Sequence, residues 1–143
     1  MIYFLSGRLL AKKGTFAVVE AGGVGYKVFL TNRHYQNLPP VDSPIELYSY
    51  LHVKEDALDL YGFLAEGDLV LFEKLITVNG IGPKTALGVM AIASVENLVA
   101  AINEGKAELL TRASGIGRKT AERIILELKG KLASVHSSRT VGA

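Results

Sequence analysis

The sequence has no cysteine and no tryptophan, and only four prolines and three histidines in 143 residues. Without cysteine there are no disulfides, no cysteine-built zinc or iron–sulfur sites and no thiol nucleophile. His34, His52 and His136 are scattered without ligand spacing; neither a metal nor any other cofactor is expected. No apolar run reaches the roughly 18 residues that read as a membrane-spanning helix. The start MIYFLSGRLL is interrupted by polar residues and lacks a small-residue cleavage site. These absences favour a cytoplasmic location and no membrane partner.

An excess of one charge sign is also missing. The formal net charge is +2, with 49% hydrophobic and 21% charged residues, a globular composition that by itself predicts no polyanionic partner. The distribution is uneven. Residues 1–62 balance Arg8, Lys12, Lys13, Lys27, Arg33 and Lys54 against Glu20, Asp42, Glu46, Glu55, Asp56 and Asp59. From Lys106 to Lys131, by contrast, seven basic residues face only Glu108, Glu122 and Glu127.

That basic stretch contains one copy of a phrase that occurs twice, NGIGPKTA from Asn79 to Ala86 and SGIGRKTA from Ser114 to Ala121. Gly80 and Gly115 lie 35 residues apart, and six of the eight positions are identical. In each copy an apolar-periodic segment ends at a glycine, one isoleucine follows, and a second glycine opens another helical pattern. The reading is helix, tight hairpin, helix. Glycines accept positive φ and allow close approach of a ligand, while Ile81 and Ile116 can plug the hairpin from inside. Pro83 suits a first helical position. The exposed N–H groups of such a hairpin form a concavity suited to a phosphate oxygen, with Lys84 or Lys119 alongside. A mononucleotide P-loop does not fit, because Pro83 and Arg118 stand where that motif needs glycine. Gly-x-Gly as a mere helix stop remains the plain alternative, weakened by the repetition of the lysine.

Upstream, short β-branched and aromatic segments at 2–10, 15–20 and 25–30 are separated by Lys12-Lys13-Gly14 and Gly22-Gly23, which predicts a three-strand meander. One or two helical turns are expected over 32–38, then strands at 45–53 and 58–63. Five strands with a helical insertion suit a small closed barrel of the OB type, with a generic SH3-like barrel as the alternative. Tyr3, Phe16, Tyr26, Phe29, Tyr35, Tyr48, Tyr50 and Tyr61 could stack bases, yet at strand spacing they read first as packing. Composition turns to Leu, Ala, Glu and Lys near Ala65. Helices are expected at 68–77, 83–91, 94–103, 106–111 and 118–132, with Ser94 and Ser114 as caps. The expected organisation is α+β: a barrel over 1–64, a tandem helix-hairpin-helix unit over 65–132, and a flexible linker or tail over 133–143.

Both phrases resemble helix-hairpin-helix motifs, which in that superfamily bind DNA backbones without reading sequence. The order of parts, with EAGGVGYKV, KEDALDLYGF and then two hairpins, resembles the RuvA family of Holliday-junction-binding subunits over residues 1 to about 132. The resemblance implies a homotetramer, or an octamer of two such platforms, that holds four-way junction DNA open during recombination and DNA repair. It implies backbone contacts from Asn79, Gly80, Gly82, Lys84, Ser114, Gly115, Gly117, Arg118, Lys119 and Arg123, and an acidic pin of Glu55 and Asp56. It also implies a partner, the hexameric RuvB ATPase, reached through a C-terminal domain. This chain stops inside what resembles the linker to that domain, so the domain is absent from it.

Two enzyme readings compete. SGIGRKTA also resembles the hairpin of DNA glycosylases, whose catalytic aspartate follows the motif, but the last aspartate here, Asp68, precedes both hairpins. Glu55, Asp56 and Asp59 could instead hold Mg²⁺ in a structure-specific nuclease. Adjacent carboxylates diverge in extended chain, which suits a cation cage poorly. A plain solvated turn is the third reading of Glu55 and Asp56.

Overall fold

The computed structural model describes residues 1–135. Residues 136–143, with His136 and most of the expected tail, lie outside the described residues.

The N-terminal half forms β1 (Phe4–Lys12), β2 (Phe16–Ala21), β3 (Val24–Phe29), α1 (Asn32–Gln36), β4 (Pro44–Val53) and β5 (Leu58–Phe63). Alternation makes the strands. On β4 Ile45, Leu47 and Ser49 point inward while Glu46 is exposed, the period expected of a sheet with one buried face. β1 outruns its expected end at Leu10, because an irregularity between Leu9 and Ala11 lets pairing with β2 continue to Lys12. The strand order β1-β2-β3-β5-β4 closes on itself, with β3 parallel to β5 and β1 antiparallel to β4. That closure, with α1 between β3 and β4, is the OB arrangement and decides against the SH3-like alternative. The interior is filled by Leu5, Leu9, Val19, Val28, Leu47 and Leu60. Gly62 is demanded by this packing: a Cβ there would lie 2.4 Å from Val28 Cγ1.

The second half holds α2 (Glu66–Ile76), α3 (Pro83–Met90), α4 (Val95–Asn103), α5 (Ala107–Leu110) and α6 (Arg118–Leu128). The Ser94 side chain caps α4 by accepting from Asn97 N–H, as expected. Ser114 caps nothing. The N-cap of α6 is Gly117, without a side-chain cap bond. α6 also stops four residues short of Leu132, because Gly130 takes a left-handed φ of 78° and donates its N–H to Asn103 Oδ1 at 3.2 Å. α2 starts two residues before Asp68, whose carboxylate is buried 3.6 Å from His34 Nε2 of α1.

The two halves share packing. The outer faces of β4 and β5 present Tyr50, Tyr61 and Phe63 to Phe72 of α2, at ring separations of 5.4, 5.6 and 4.9 Å. Tyr61 and Phe63 thereby join the helical core of Leu69, Leu75, Met90, Leu98, Ile102 and Ile124. Burying one such side chain stabilises the fold by about 1.5–3 kcal/mol. The barrel is therefore a fixed wall beside the first hairpin. No single helix among the described residues is long and apolar enough to cross a membrane.

Candidate nucleic-acid interface

The two hairpins repeat in three dimensions as they do in sequence. Ile81 N–H donates to Val78 O at 3.0 Å, and Ile116 N–H to Ala113 O at 3.1 Å. Gly80 and Gly115 take φ of 91° and 83°, a region that L-residues enter only at a cost. Ile81 and Ile116 are each buried to 5% exposure and plug the turns. Gly82 and Gly117 then cap α3 and α6 with φ of −94° and −87° and extended ψ. Any residue adopts that conformation, so only the first glycine of each pair is needed for its positive φ.

The helix starts leave donors unfilled. Ala86 N–H bonds Gly82 O at 2.9 Å and Ala121 N–H bonds Gly117 O at 3.0 Å, but the amides of Lys84, Thr85, Arg118, Lys119 and Thr120 make no backbone hydrogen bond among the described residues. First-turn amides have no intrahelical acceptor and carry the positive end of the helix dipole. Asn79, Gly80, Gly82 and Lys84 surround the first mouth, and Ser114, Gly115, Gly117, Arg118 and Lys119 the second. Arg123, which is exposed, follows Lys119 by four positions and so shares its face of α6. Lys84, Lys119 and Arg123 form no ion pair among the described residues. Arg118 differs: it bonds Glu122 at 3.2 Å and Glu108 at 3.4 Å, exposed partners that offset part of its charge at the surface.

Glu55 and Asp56 are exposed at the tip of the β4–β5 hairpin, which is closed by Lys54 N–H to Ala57 O at 2.8 Å. Asp59 turns back to Lys54 Nζ at 3.2 Å. Among the described residues no group of three or more His, Cys, Asp or Glu side chains is placed to hold a metal ion. The nuclease expectation for Glu55, Asp56 and Asp59 therefore finds no support in the geometry.

One feature was invisible in the sequence. A groove of about 290 Å³ runs between the barrel and the first hairpin, lined by His52, Lys54 and Tyr61 on one side and Gly82, Lys84 and Thr85 on the other. It exists because β5 packs on α2, which places Tyr61 beside a hairpin about twenty residues downstream. No local pattern signals such a juxtaposition. The Tyr61 phenol is pushed above its ordinary pKa by burial and then by the charge of Asp59, so it remains a hydrogen-bond donor at neutral pH.

Comparison with known proteins agrees with both halves. Residues 1–62 match the model of the RuvA N terminal domain, and residues 72–131 match the SAM-like helix-hairpin-helix tandem. A protein of Caldanaerobacter subterraneus subsp. tengcongensis is 41% identical over 132 residues, covering 92% of this chain and 71% of that relative. One of Thermoanaerobacter pseudethanolicus is 44% identical over 132 residues, with the same coverage. One of Prosthecochloris aestuarii is 39% identical over 146 residues, covering 100% of this chain and 73% of the relative. Each of the three is named Holliday junction branch migration complex subunit RuvA. With its barrel, its tandem hairpins and these relatives, the chain belongs to the RuvA family.

Proposed function

We propose that this chain binds four-way junction DNA through the sugar–phosphate backbone and holds the junction open, as a homotetramer, for a hexameric ATPase that drives branch migration. The observation that carries the reading is the duplicated hairpin, with the same turn bonds, unfilled first-turn amides and an unpaired lysine at each mouth. Such sites recognise phosphate oxygens and no base, so binding is salt-sensitive and independent of sequence. Asn79, Gly80, Gly82 and Lys84 serve one clamp. Ser114, Gly115, Gly117, Arg118, Lys119 and Arg123 serve the other.

Glu55 and Asp56 act by repulsion. In a four-fold assembly the hairpin tips converge, and eight carboxylates, two from each of four subunits, repel phosphates that enter the crossover. Linear duplex crossing the centre is disfavoured while separated strands are guided apart. Screening confines the effect to about 8 Å at physiological salt. The chain itself breaks no bond, and it works in the cytoplasm. Sedimentation velocity with and without a synthetic four-way junction tests the assembly: one junction per four chains is expected, and a monomer on DNA would refute the platform.

A further inference from the structure

The barrel side of the groove, formed by His52, Lys54 and Tyr61, has no role in the clamp as described. Tyr61 lines it with a residue exposure of only 3%, its ring held between Phe29 and Phe72, each 5.6 Å away. Its hydroxyl makes no hydrogen bond among the described residues. No fully enclosed side-chain oxygen or nitrogen among those residues lacks a partner, so this hydroxyl is not sealed in, and the groove is an opening that Tyr61 lines. A nearly buried hydroxyl without a protein partner costs stability unless a ligand or water meets it there. His52 also lines the groove, its ring stacked on Tyr50 at 6.3 Å and 26°. Opposite stand Lys84 and the unfilled amides of Lys84 and Thr85 at the start of α3.

We propose that this groove is a phosphodiester-binding site, in which Tyr61, His52 and Lys54 of the barrel complete the first hairpin's amides and Lys84 around one DNA backbone phosphate. The proposal rests on the reading of the hairpins as backbone clamps and adds a second wall to one of them. Its charge fits. Lys54 and Lys84 supply two positive charges and Asp59, paired with Lys54, removes one, which leaves a single charge to match a monoanionic diester. At the second hairpin Arg118 stands where the first has Pro83, and it pairs with Glu108 and Glu122. Tyr61 as donor and Lys84 as cation would bind the same phosphate oxygens, and so act together. Lys54 directly precedes Glu55, so the held phosphate lies beside the acidic tip. One strand is then gripped where its neighbour is repelled, which fixes the point at which strands part.

The test measures affinity for a synthetic four-way junction with the full chain and with Tyr61→Phe, which removes the hydroxyl and keeps the ring. Loss of one hydrogen bond to a charged oxygen predicts binding weaker by about tenfold, with the melting midpoint unchanged. His52→Leu, on the open wall of the groove, also weakens binding. In double variants the effect of Tyr61→Phe shrinks when combined with Lys84→Ala and adds fully to Lys119→Ala, because only the first pair shares a phosphate. If Tyr61→Phe and His52→Leu bind like the parent while Lys84→Ala and Lys119→Ala are weakened, the groove proposal is overturned and the clamp stands. If neither lysine variant is weakened, the clamp reading itself fails.

Discussion

Gly117 offers a way to separate what the fold needs from what the ligand needs. Its φ of −87° is open to any residue, and a Cβ built there meets no atom within 4 Å. Serine is a better N-cap than glycine by a few tenths of a kcal/mol, because its Oγ accepts from an amide of the first turn. Gly117→Ser should therefore leave the melting midpoint unchanged or slightly raised. The same hydroxyl fills the mouth that a phosphate oxygen would occupy. A charge-assisted hydrogen bond is worth about 1.5–3 kcal/mol, so affinity for a four-way junction should fall about ten- to a hundredfold. Gly115→Ser gives the converse signature: its φ of 83° is left-handed, which costs an L-residue about 1–2 kcal/mol and lowers the midpoint by roughly 2–8 °C. Calorimetry and junction titration on the two variants decide the matter. Full junction affinity in Gly117→Ser would show that nothing approaches the hairpin mouth closely, and the clamp would be wrong.

Lys119→Ala should reduce the slope of log affinity against log salt by about 0.9 for each phosphate it no longer neutralises and weaken all sequences alike; an unchanged slope counts against a phosphate role for this lysine. Glu55→Gln with Asp56→Asn should raise affinity for linear duplex with little loss of junction binding, which competition between the two DNAs reads out; an unaltered preference removes the repulsive role. Phe72→Ala, which empties the space between Tyr50, Tyr61 and Phe63, should cost about 3–5 kcal/mol by chemical denaturation, and a loss below about 1 kcal/mol would mean that the halves do not depend on this packing. Tyr3, whose hydroxyl donates to Glu66 at 2.9 Å, has its pKa pushed up to about 12, by burial first and then by that bond and charge. The protonated phenol is the form the fold favours, so its contribution is intact below the ordinary value of 10 and fades as pH climbs toward 12. Glu66→Gln should bring the tyrosinate absorbance step of Tyr3 to lower pH.

The hairpins were legible because each is local. Gly80, Ile81, Gly82 and Lys84 are neighbours in sequence, and the second copy repeats them, so spacing alone placed the turn, the plug and the helix start. Strand alternation likewise located the barrel, and β4 with Ile45, Leu47 and Ser49 inward follows it closely. What local pattern missed depends on distant partners. Ser114 looks like a cap by residue type, but the turn that ends at Gly117 moves the helix start three residues on. Leu132 continues the apolar period of α6, yet Gly130 bends the chain and Leu132 reaches the core from outside the helix. Arg118 reads as a free cation until Glu108, ten positions away, is brought to it. The groove beside Tyr61 needs the barrel docked on α2, which only tertiary packing shows.

The central claim is that backbone clamps and a repulsive tip together select a four-way junction. The most direct test is a competition titration of this chain between a synthetic four-way junction and linear duplex of the same sequence, across a salt series and with the sequence then scrambled at fixed geometry. The account predicts a strong junction preference that survives scrambling, with affinity falling steeply as salt rises. Equal affinity for junction and duplex, or a preference that follows the base sequence, would contradict it.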